Sequence, residues 1–106
     1  MSWKVTLKKS AFQDLRWFGR KTSRGILDLA RDFFEDDPLA QTRNMKTLRP
    51  NPIAERELRL QGKYRVLFNV DSEEKVVRIV LVGEKRGNTL VVQGEEFHEH
   101  ESDTTK

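Results

Sequence analysis

The 106-residue chain contains no cysteine, which excludes a disulfide framework and a thiolate metal site. Its two histidines, His98 and His100, are too few for a conventional zinc site. No apolar run approaches the roughly 18 to 20 residues of a membrane span, so no membrane partner is expected. The opening "MSWKVTLKKS" lacks a hydrophobic stretch of signal-peptide length, and the expected location is cytoplasmic. Apolar residues are scarce, 36% of the chain against 35% charged, so the core has to be small. A Walker loop, a dinucleotide fingerprint, a Ser/His/Asp grouping and convincingly spaced paired carboxylates are all missing.

What is present is charge, unevenly spread. Residues 1–92 carry 19 Lys/Arg against 12 Asp/Glu, a net +7. Residues 93–106 carry Glu95, Glu96, Glu99, Glu101 and Asp103 against Lys106 alone. A basic body suggests a polyanion partner, with nucleic acid the first candidate. Equally, many small proteins are basic without one. The length fits a single domain, residues 1–94, followed by an acidic and flexible tail, residues 95–106.

Periodicity gives the elements. "WKVTLKK" alternates Trp3, Val5 and Leu7 with polar residues, the pattern of a half-buried strand. Ser10 with Gln13 has the capping-box spacing that opens a helix, and Gly19 lies near its stop. A second helix is predicted from Thr22 or Ser23, with Ile26, Leu27, Ala30, Phe33 and Phe34 as its apolar stripe and Asp36-Asp37-Pro38 as its end. Residues 39–54 contain Pro50 and Pro52 and read as a long connection with at most one helical turn. Strands are predicted at 56–61, 64–70 and 75–82, joined by turns at 61–63 and 71–74. The loop "GEKRGN" and a short strand "TLVVQ" follow. The fold class is therefore α+β, in the order β-α-α-β-β-β(-β). An antiparallel helix pair covers one face of a mostly antiparallel, twisted sheet.

The candidate site lies in "ELRLQGKYRVLFNVD" (residues 57–71), where two arginines interrupt strands built from Leu, Val, Phe and Tyr. If Leu58, Leu60, Val66 and Phe68 face inward, Arg59 and Arg65 share the open face as cross-strand neighbours. Arg65 then either meets an anion or pairs with Glu57 as an ordinary surface contact worth under about 1 kcal/mol. In "GEKRGN", Lys85 and Arg86 sit between two glycines where they could meet phosphate oxygens. Arg43, Lys46 and Arg49 from the long connection, with Arg56 and Lys63 at the hairpin ends, complete a basic patch for nucleic acid. An unperturbed histidine titrates in the range useful for acid–base work on a ribose hydroxyl, which makes His98 and His100 candidates. Both also suit a solvated tail.

Taken in this order, "LKKSAFQDL", "ELRLQGKYRVLFNVD" and "VVRIVLVGEKRGN" resemble the RelE/ParE superfamily of type II toxins over most of the chain. The resemblance, with the RelE-like branch favoured, implies a toxin held inactive by a cognate antitoxin protein. It implies a ribosome-dependent mRNA endoribonuclease that needs no metal or cofactor and drives a 2′-hydroxyl onto the adjacent phosphate. Arg65 matches the family's phosphate-stabilising arginine, and Lys85, with Arg86 beside it, matches the basic residue past the strand's glycine. Arg59 falls where the family often has a lysine. Glu57 occupies another such position, and some relatives use a glutamate there as a base. The tyrosine of RelE has no counterpart in Thr89-Leu90-Val91. That departure keeps two alternatives open: a ParE-like inhibitor of DNA gyrase, and an inactive RNA-binding relative.

Overall fold

The computed structural model describes residues 3–97; His98, His100 and the rest of the acidic tail lie outside the described residues. The elements are β1 (Lys4–Leu7), α1 (Lys9–Phe18), α2 (Arg20–Asp36), β2 (Met45–Thr47), β3 (Arg56–Leu60), β4 (Tyr64–Asp71), β5 (Val76–Arg86), β6 (Thr89–Val92) and β7 (Glu95–Glu96). The two helices and the three long strands arise where the apolar periodicity places them.

Strands β2 to β7 pair in the order β2-β3-β4-β5-β6-β7, every pair antiparallel. The first strand, β1, pairs in parallel with the opening residues of β5, Lys4 opposite Val76 to Leu7 opposite Ile79. Thus β5 is central, with β4 along one edge and β1 and β6 sharing the other. Its β-branched run "VVRIVLV" is what a strand covered on both faces requires.

The helices close one face of the sheet. Residues Ala11 and Leu15 of α1 and Ile26, Ala30 and Phe34 of α2 bury at helical spacing against Leu58, Val66, Phe68, Val77 and Val82. Phe34 and Phe68 meet at 4.8 Å between ring centroids. Each such side chain contributes about 1.5–3 kcal/mol on removal from water. A smaller cluster, Ala54, Leu67, Val80 and Leu81, lies on the other face, with Leu48, Leu90, Val92 and Phe97 against it. That face carries no helix.

Four expectations are corrected. Ser10 is not an N-cap: α1 begins at Lys9, and the Ser10 hydroxyl instead donates to the Val80 carbonyl at 2.6 Å, tying the helix to β5. The second helix starts at Arg20 rather than Thr22 or Ser23, because Gly19 at φ +91° reverses the chain in one residue and ends one helix as it opens the next. The long connection contains a strand and no helical turn: Met45–Thr47 pairs with Arg56–Leu58. Finally, "GEKRGN" is not a loop. Gly83–Arg86 continue β5, and only Gly87 and Asn88 make the turn into β6. The ordered chain also runs past residue 94, since Glu95–Glu96 pair with β6.

Candidate functional site

Strand alternation decides which side chains meet. Leu58 and Leu60 of β3 face the helices, so Glu57 and Arg59 face away, opposite Leu67 and Arg65 of β4. Arg65 in turn stands opposite Gly83 of β5, and Lys46 of β2 stands opposite Glu57. The helix-free face thus gathers Lys46, Glu57, Arg59 and Arg65, with Lys85 two residues beyond Gly83 on the same side.

Glu57 is the centre of this group. Its carboxylate lies 3.5 Å from Arg59 Nε and 4.0 Å from Lys46 Nζ. Arg65 is 6% exposed, and its Nη1 donates to the Tyr64 carbonyl at 3.1 Å. Burial lowers its pKa from the ordinary arginine value; the nearby Glu57 charge opposes that fall, and the Arg59 charge adds to it. Even lowered, a guanidinium stays charged in working conditions. The cluster therefore holds three cations around one carboxylate, and Arg65 acts from beneath the surface at low effective dielectric.

Beside the cluster a cleft of about 590 Å³ opens, lined by Lys46, Arg49, Glu57, Leu67, Leu90 and Phe97 among others. One wall is basic and the floor is apolar. Asn51 shapes the wall: its side chain accepts from the Ile53 and Ala54 N–H groups and donates to the Arg49 and Ala54 carbonyls. The two prolines therefore sit in a braced turn rather than a slack loop.

Gly83 is needed where it stands. A Cβ there would lie 2.6 Å from the Val91 carbonyl oxygen, so β6 approaches β5 only over a glycine. At the same point Asp14, buried in α1, accepts the Val82 N–H at 3.0 Å and the Gln93 side-chain N–H at 2.7 Å. This strut had no signal in the sequence beyond a single acid on the apolar stripe of α1.

The remaining sequence candidates separate. Lys85 faces the cluster side, but Arg86, one residue on, faces the other and pairs with Glu84 at 2.9 Å. Lys63 joins Glu84 from the turn at 3.7 Å. Arg56 shares the helix-facing side with Leu58, is 5% exposed, donates to the Ala40 carbonyl and lies over the Phe68 ring. Desolvation lowers its pKa, an effect that Asp37 opposes. Arg56, Lys63 and Arg86 are therefore not gathered with Arg65. Arg43 is exposed in the bend before β2. Among the described residues no three His, Cys, Asp or Glu side chains converge as a metal site would require.

No family model matches the sequence, and no curated protein sequence matches it significantly. Solved structures do. A chain of the toxin–antitoxin complex RelBE2 from Mycobacterium tuberculosis superposes with a TM-score of 0.66 at 25% identity, over 80% of this chain and 100% of that one. A chain of the archaeal RelE–RelB complex from Pyrococcus horikoshii OT3 gives 0.60 at 26% identity, over 82% and 98%. Both share the helix pair on an open, twisted, mostly antiparallel sheet, and this likeness supports placing the chain with the RelE-like toxin superfamily.

Proposed function

We propose that this chain is the toxin of a type II toxin–antitoxin pair and that it cleaves mRNA on the ribosome without a metal. The likeness to two toxin–antitoxin complexes supports the toxin reading and an antitoxin partner. The observation that carries the nuclease reading is the Glu57 carboxylate set among Lys46, Arg59 and Arg65 on the helix-free face.

In the proposed reaction Glu57 takes the proton of a ribose 2′-hydroxyl. The freed oxygen attacks the adjacent phosphorus, a 2′,3′-cyclic phosphate forms, and the 5′-oxygen leaves and is protonated. His98 is the sequence's candidate for that last proton. Arg59 and Lys46 meet the phosphate oxygens directly, while buried Arg65 adds positive potential from below. Lys85 extends the cationic track along the RNA. Preorganised cations of this kind contribute several kcal/mol because they need no reorientation as charge develops.

A reconstituted translation reaction with primer extension on the mRNA tests this. Discrete cuts in the ribosomal A site, lost about 100-fold or more in Glu57→Gln, support the proposal. Intact mRNA with blocked supercoiling by gyrase supports the second reading, gyrase inhibition, which the deep burial of Arg65 favours.

A further inference from the structure

The sheet has an edge that the fold leaves open. Among the described residues β1 pairs only with β5. The Lys4 N–H donates to the Lys75 carbonyl and the Lys8 N–H to the Ile79 carbonyl, both at 2.9 Å. Backbone groups alternate in direction along a strand, so Thr6 also faces β5, while the N–H and C=O groups of Val5 and Leu7 point outward. Among the described residues nothing hydrogen-bonds to them. At the end of this edge a groove of about 550 Å³ opens between β1 and the two helices, with Leu7, Phe12, Leu15 and Leu27 as its apolar lining and Arg16 and Arg20 beside them. Leu7 is 37% and Phe12 51% exposed. The surroundings are basic. Lys4, Lys8, Lys9, Arg16 and Arg20 are all exposed, and among the described residues none of them is in an ion pair.

We propose that this edge and groove take up an extended, acidic segment of a partner polypeptide, added to the sheet beside β1. Each part of the surface selects one feature of that partner. A strand edge offers alternating backbone donors and acceptors, which a second backbone matches and a phosphate chain does not. The groove receives an apolar side chain next to the added strand. The lysines and arginines require carboxylates, and they repel a second copy of the same basic edge. The proposed antitoxin is the polypeptide that supplies the segment, and only this identification rests on the toxin reading.

Amide hydrogen exchange read by NMR tests this with two probes, a synthetic octapeptide alternating Glu with Leu and the antitoxin co-expressed with the chain. In the free chain the Val5 and Leu7 amides should exchange fast, and those of Thr6 and Lys8 slowly. Either probe should slow Val5 and Leu7 at least about 100-fold, whereas a peptide alternating Lys with Leu should not. Leu7→Pro removes an outward N–H and no ladder bond, so it should weaken binding of the acidic peptide at least about tenfold at an unchanged thermal midpoint. Arg16→Glu/Arg20→Glu, which leaves the strand untouched, should weaken it by a similar factor. Protection by neither probe overturns the proposal. So does slow exchange at Val5 and Leu7 in the free chain, or protection that grows with its own concentration, which marks a second copy. An oligoribonucleotide that displaces the acidic peptide marks a phosphate surface and also overturns it. Protection by the peptide alone upholds the surface: a bound antitoxin then docks elsewhere, and an absent complex sinks the antitoxin reading instead.

Discussion

At the scale of residues, two side chains carry more than their positions announce. Asp14 satisfies the Val82 N–H and the Gln93 amide from inside the domain. Asp14→Ala would leave the buried Val82 N–H unpaired and release the exposed Gln93 amide, and is expected to cost about 1–3 kcal/mol in chemical denaturation. Gly83 is constrained by a backbone oxygen rather than a movable side chain. Gly83→Ala should therefore push β6 from β5, lowering stability by about 1–3 kcal/mol and weakening the cleft wall at Leu90. Arg65 differs again. Its charge sits under a carboxylate and beside a second guanidinium, so Arg65→Met removes a desolvated cation without opening a cavity. Stability should change by less than about 2 kcal/mol, while cleavage, read by primer extension, falls at least about 100-fold. The sign of any pH effect follows. Because burial lowers the Arg65 pKa, its cost to folding is present at every pH below that value. It lifts only as pH rises through it, so Arg65 imposes no limb on activity between about pH 5 and 9.

At the scale of elements, β5 decides which basic residues act together. Read as a glycine-flanked loop, "GEKRGN" would present Lys85 and Arg86 side by side. As a strand it sends them to opposite faces, with Arg86 pinned by Glu84. Lys85→Ala should weaken RNA binding and lower the salt slope by about one, and Arg86→Ala should leave both unchanged. Titrating binding to a short RNA at several salt concentrations separates the two. The periodicity of Ile26, Ala30 and Phe34, and the β-branched run of β5, made these elements legible from sequence alone. The strand Met45–Thr47 was not. Three residues carry almost no periodic signal, and the prolines that follow it argued against order that Asn51 in fact supplies. Likewise Ser10 and Gln13 had the spacing of a cap, but a carbonyl on β5 offered the hydroxyl a better partner. Arg56 read as a surface cation because its burial depends on Ala40 and Phe68, which lie far from it in sequence.

At the scale of the molecule, the helices and the site occupy opposite faces of one sheet. That helices cover one face was legible from their apolar stripes, but which face of β4 they cover was not, because Leu67 makes the other face partly apolar too. The structure turns Leu58, Leu60, Val66 and Phe68 toward the helices. What decided membership of the site was register, which places Arg59 against Arg65 and Lys46 against Glu57. Exposed Phe12 and Trp17 lie on α1, on the face of the sheet opposite the Glu57–Arg59–Arg65 cluster. A partner held on that helix would leave the cleft free, so Phe12→Ser should weaken antitoxin binding by at least about tenfold while leaving cleavage by the free toxin intact. Titration calorimetry with the antitoxin, set beside the translation reaction, checks both halves.

The parallel pairing of β1 with β5 sets an order of events during synthesis. The first strand waits for residues 76–79 before it finds its place, and the face that bears Arg65 is completed only by β5 and β6. A ribosome making this chain thus carries an unassembled site until β5 and β6 have been made. Long-range closure of this kind is slow compared with helix formation. On the proposed reading of a toxin that acts on the ribosome, such a delay spares the ribosome making the chain and gives an antitoxin time to arrive first.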